Sequence, residues 1–186
     1  MEVLNYWRRL PSFTKRIWTV VGFFILCIIV TLAGVFTPLS QQDVQSLSKD
    51  LDRRRQTITS MSGFLQTSAI FGNNFLISLI TFVPFAGPIF SLYVMYSTGV
   101  VVAAVSIAHN ASPPLIFLNL IVLPFAWMEF LAYSIAFAGS VWLAWRITQA
   151  RIRAELSKTC MFISVCAVIL VAAAAIAVYM IALASR

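Results

Sequence analysis

One glutamate interrupts the apolar run LPFAWMEFLAYSIAFAG at residues 123–139. A carboxylate in hydrocarbon costs at least a few kcal/mol, so Glu129 is expected to face protein and find polar partners. The candidates are the other polar groups in apolar stretches: the pair Asn73 and Asn74, then Tyr96, Ser97, Thr98, Asn119, and Tyr133 one turn further along. No Lys or Arg falls at matching depth in the sequence. A carboxyl that is protonated or held by several hydrogen bonds therefore fits better than an ion pair. Three roles stay open for it: a structural carboxyl tying helices together, a proton or ion relay, or a contact to a substrate.

Nothing else assembles into catalytic machinery. His109 stands alone beside Asn110, no glycine-rich phosphate loop is present, and no second acid lies near Glu129 for paired acid–base work. No catalytic residue and no enzymatic activity are expected. Cys27, Cys160 and Cys166 sit in apolar runs without CxxC spacing or a neighbouring His, which points to packing, with no disulfide, metal or cofactor. The Asn110-Ala111-Ser112 sequon is followed by Pro113 and lies close to the membrane, a poor glycosylation context. The net charge of +7 comes mostly from cations flanking apolar spans. There they orient helices and meet anionic lipid head groups; a nucleic-acid partner is not implied.

The elements that position these residues are membrane helices. Of the 186 residues 61% are hydrophobic and 10% charged, too apolar for a small soluble domain. Nearly charge-free runs occupy 17–36, 67–108, 115–145 and 159–185, and about 20 apolar residues suffice to cross a bilayer. The first run follows Arg8, Arg9, Lys15 and Arg16 but is long for a signal peptide and lacks a clear cleavage site, so it reads as an anchor. In 67–108, Pro84, Gly87 and Pro88 break the run into a helical hairpin, 67–83 and 89–108. The run 115–145 would be about 46 Å long as one helix, against a hydrocarbon thickness of about 30 Å. Pro124 is the expected break, giving either a kinked span or a half-helix followed by a full one.

This predicts an all-α polytopic bundle of five crossings. Its parts are a cytoplasmic segment 1–16, a first span 17–37, an extracytoplasmic amphipathic segment 38–66, a core of three spans over 67–145 with breaks at 84–88 and 124, a basic cytoplasmic loop 146–158, and a last span 159–186. An N-terminus inside places the larger share of Lys and Arg in the cytoplasm, although Arg53, Arg54 and Arg55 fall on the other side beside Asp50 and Asp52. Within 40–66, Val44, Leu47, Leu51, Ile58, Met61 and Leu65 recur at helical steps, and Ser40 with Asp43 resembles a capping box. Such a helix covers the bundle end, lies on the membrane surface, or docks a partner helix.

Small residues mark the helix contacts. Ala132, Ala136, Ser140 and Ala144 form a stripe that permits close approach, and Glu129 lies about 60° from it, so it points toward protein. Gly99 and Gly139 belong to the same class of packing position, and Ala167, Ala173 and Ala177 suit close packing of the last span. Glu129, Asn73, Asn74, Thr98, Pro124 and Tyr133 form the candidate polar intramembrane site.

Three pieces together resemble the stage II sporulation protein M family: AIFGNNFLISLITFVPFAGPIF at 69–90, STGVVVA at 97–103, and the Glu129 run itself. Asn73, Asn74, Pro124, Glu129, Ala132 and Gly139 match the family pattern. The His and Gly that follow its proline are Phe125 and Ala126 here, and its Asn-Gly-x-x-x-Gly segment becomes Thr98-Gly99 with Ala103. The resemblance implies a prokaryotic multi-span protein; in the sporulating-bacterial member it implies a scaffold that assembles cell-wall hydrolases, and some members accompany transport systems. Loss of the His removes the neighbour best able to exchange a proton with Glu129, which favours a structural role.

The expected function is a noncatalytic membrane scaffold or accessory subunit. Its expected partners are other integral membrane proteins, in a hetero-complex or as a homo-oligomer, with the helix at 40–62 and the basic segment 146–158 as docking elements. The alternative is a transporter or channel component using Glu129 at mid-membrane.

Overall fold

A computed structural model describes residues 12–150 and 152–184. Much of the segment 1–16, with Arg8 and Arg9, and also Arg151 and Arg186, lie outside the described residues. Among those described, seven helices and no strands occur: α1 (Ser12–Val35), α2 (Gln41–Thr59), α3 (Gly63–Thr81), α4 (Ala86–Ala108), α5 (Pro113–Val122), α6 (Pro124–Thr148) and α7 (Ile152–Ala184).

Local chemistry sets most boundaries. Ser40 caps α2 in a capping box: its hydroxyl accepts from the Asp43 amide while the Asp43 carboxylate accepts from the Ser40 amide. Pro113 and Pro124 open α5 and α6, where a missing N–H costs nothing. Proline also drives the residue before it out of helical geometry, and Leu123 is extended at φ −73°, ψ 130°. The run 115–145 is thus a half-helix and a full helix. Glu129 consequently lies in the second turn of α6, nearer a helix end than counting along one continuous run placed it.

Among the described residues, four helices are long and apolar enough to cross a membrane: α1, α4, α6 and α7. Five crossings were expected, and α3 is not among the four; Gln66, Thr67, Ser68, Asn73, Asn74, Ser78 and Thr81 dilute its apolar content. The α3–α4 turn is also tighter than 84–88. It is made at Phe82–Phe85, with Phe85 in the left-handed region (φ 65°), while Gly87 and Pro88 fall in the first turn of α4. The amphipathic helix stops at Thr59, so Met61 sits in the connection and Leu65 in α3. Residues 146–158, expected as a loop, are largely helical. Helix α6 runs to Thr148 and α7 begins at Ile152, because nothing in QARIRAELSK after the turn opposes helix formation.

The spans meet through small residues. Gly34 of α1 and Gly99 of α4 face each other so closely that a methyl on either would collide with the opposing backbone, at Tyr96 and Thr31 respectively. Ala132 and Ala136 pack in one buried cluster with Phe82, Cys166 and Leu170, and the Cys166 thiol donates to the Ala132 carbonyl at 3.3 Å. Gly139 admits the Phe82 ring, and the Ser140 hydroxyl donates to the Val83 carbonyl at 2.7 Å. These contacts hold the α3–α4 turn beside Ser140, about 12 Å short of the end of α6 at Thr148. Cys27, Cys160 and Cys166 are free thiols.

Candidate functional site

The sequence-predicted polar residues converge where α3, α4 and the start of α6 meet. Asn74 on α3 donates its Nδ2 to Glu129 Oε1 at 2.7 Å, and Asn73 Nδ2 donates to Asn74 Oδ1 at 3.3 Å. The two adjacent amides therefore form a short relay ending on the carboxylate. Asn74 and Glu129 are half-buried and Asn73 is exposed. Glu129 Oε2 accepts no hydrogen bond from the described residues.

This pair borders a chamber of about 230 Å³ lined also by Asn73, Thr98, Phe125 and Tyr133. Thr98 donates its hydroxyl to the Val94 carbonyl at 2.9 Å, which leaves its oxygen lone pairs facing outward from the bond. Tyr133 is buried, packed with Cys27, Met95 and Phe130. Pro124 is exposed at the α6 start and acts through the backbone break it imposes. Asn119, Tyr96 and Ser97 do not join the pair. Tyr96 instead shares a 2.9 Å hydroxyl contact with Thr37, just beyond α1.

A second cavity of about 770 Å³ lies on the other side of Glu129, lined by Arg55, Ile70, Leu123, Phe125, Met180 and Ile181 among others. Glu129 and Phe125 line both spaces and form the partition between them. No ion pair to Glu129 occurs among the described residues, in keeping with the absence of a Lys or Arg at matching depth, although Arg55 near the end of α2 lines the same large cavity. The sequence placed Arg55 on the extracytoplasmic amphipathic segment 38–66. The fold brings the last turn of that helix over the α5–α6 break.

A second charged site went unnoticed in the sequence. Arg16 of α1 and Glu155 of α7 are 8% and 2% exposed, and Arg16 Nη2 donates to Glu155 Oε2 at 2.7 Å. Arg146 Nε approaches the same oxygen at 3.7 Å, and the Arg16 guanidinium lies 4.8 Å from the Trp142 ring centre. The available signal was Glu155 itself, the one acid within the basic stretch 146–158. Among the described residues no group of three or more His, Cys, Asp or Glu is arranged to hold a metal ion.

The helices, their apolar length and the buried charges define a polytopic helical membrane protein. The match to stage II sporulation protein M extends over residues 20–180, and the chain belongs to that family. No curated protein and no solved structure matches it. At the position where the family resemblance has a histidine, Phe125 stands beside Glu129 on the partition between the two cavities.

Proposed function

We propose that this protein is a noncatalytic integral membrane scaffold or accessory subunit that assembles or stabilises a complex of membrane proteins. The observation that carries the reading is α2. It is capped, folded and held beside α4, yet Val44 is its single buried residue. A helix with Lys49, Asp50, Asp52, Arg53, Arg54 and Arg55 all exposed adds little core to its own fold, and a charged face at the membrane edge suits docking to another chain. In this reading the N-terminus is cytoplasmic, α2 is extracytoplasmic, and the α3–α4 pair completes five passes with a turn that reaches the inner leaflet. The basic residues near the α6–α7 connection meet anionic head groups.

Affinity purification of the full chain in mild detergent tests it. A defined membrane-protein partner should copurify and should be lost when Lys49, Arg53 and Arg54 are changed to Glu. Recovery of the same partner with the altered helix, or of the free monomer alone, would refute the docking role.

A transport component is the second reading, favoured by one observation: Glu129 borders both cavities. Ion flux in liposomes decides it, since a relay loses flux in Glu129→Gln while a scaffold shows none in either form.

A further inference from the structure

The larger cavity beside Glu129 has a definite chemical polarity. Arg55 of α2 and Glu129, which has one carboxylate oxygen without a donor among the described residues, share the lining with the apolar side chains of Ile70, Leu123, Met180 and Ile181. Arg55 makes no ion pair with the described residues. At about 770 Å³ the space lies within the size range of small-molecule sites. One cation and one anion on a mostly apolar wall complement a ligand that is itself zwitterionic at one end and apolar at the other.

We propose that this cleft binds an aminophospholipid. The guanidinium of Arg55 presents parallel N–H donors that match phosphate oxygens. Glu129 accepts hydrogen bonds from the primary ammonium while Asn74 keeps its other oxygen fixed. An acyl chain lies along Ile70, Ala177 and Met180. Glu129 sits deep, beside Asn74 midway along α3, while Met180 and Ile181 in the last turns of α7 carry the wall toward the end of the bundle where head groups lie. Arg55, on a long flexible stem from a helix beside the membrane, reaches the same zone. A trimethylated head group lacks the N–H donors for Glu129, and a glycerol head group lacks the positive charge. The site therefore discriminates among lipids by head-group amine, which a general basic patch does not.

The proposal rests on the membrane location and is independent of any protein partner, so it is tested on the isolated full chain. The protein is reconstituted with phosphatidylethanolamine, phosphatidylcholine or phosphatidylglycerol, and tightly retained lipid is counted by native mass spectrometry. Met180→Trp fills the apolar wall without touching a charge, and the difference between native and Met180→Trp protein isolates lipid held in the cleft. The expected result is one cleft-dependent phosphatidylethanolamine, retained at least fivefold over phosphatidylcholine. Arg55→Gln should lose this lipid, and Glu129→Gln should lose the preference over phosphatidylglycerol. Equal retention of all three lipids, retention unchanged by Met180→Trp, or a cleft preference for phosphatidylglycerol in the native chain overturns the assignment.

Discussion

Arg16 and Glu155, 139 positions apart, close a buried hydrogen-bonded ion pair between the first and last helices of the described chain. The Trp142 ring lies over the guanidinium, and the Thr159 hydroxyl donates to the Glu155 carbonyl at 3.1 Å. The pair pins the ends of α1, α6 and α7 together at the end of the bundle opposite α2.

Breaking this pair from one side leaves a buried charge without its partner. Glu155→Gln and Arg16→Gln are each expected to lower stability by about 3–5 kcal/mol, while Arg16→Met with Glu155→Leu recovers most of the loss. Thermal unfolding in detergent measures all three; a double variant no better than either single one contradicts the argument.

The α1–α4 crossing depends on the absence of side chains at Gly34 and Gly99. Gly99→Val is expected to cost at least about 1–3 kcal/mol, because the helices must separate to admit it. Gly22, with open space around its Cβ position, serves as the control. Gly22→Ala should be neutral or stabilising by up to about 1 kcal/mol. Parallel melting curves distinguish the crossing from a general effect of losing glycine.

The Asn74–Glu129 bond can be tested from each end. Asn74→Leu removes the donor and should cost about 1–3 kcal/mol, since the carboxyl oxygen is left without its partner. Glu129→Gln keeps an oxygen in place to accept from Asn74 and should cost less than about 1 kcal/mol. Denaturation midpoints for the two variants are expected to fall in that order, and the reverse order would remove the bond from the account.

Orientation is open to direct labelling. With the native cysteines replaced by alanine, Ser48→Cys on α2 should react with an impermeant maleimide applied outside intact cells. Gln149→Cys, in the α6–α7 connection, should react only after the membrane is opened. The opposite pattern would invert the proposed topology.

Several features were legible because their causes are local. The prolines at 113 and 124, the Ser40–Asp43 capping box and the small stripe on α6 all act within a turn or two, and each appears where its chemistry requires. Asn74 was among the partners expected for Glu129 because few polar groups occur in apolar stretches. The polar content of α3 was equally visible, and it keeps α3 out of the four helices apolar enough by composition to cross a membrane.

The chain itself determined which segments are apolar helices, where most of them stop, and that Glu129 must turn toward protein. Those outcomes follow from sterics at proline, from hydrogen bonds at helix ends and from the cost of charge in hydrocarbon. Only the folded arrangement decided that Asn74 rather than Asn119 reaches the carboxylate, that Arg55 shares its cavity, and that Arg16 finds Glu155. Those pairings depend on how far each helix slides and rotates against its neighbours, and that register is set by many contacts distant in sequence at once.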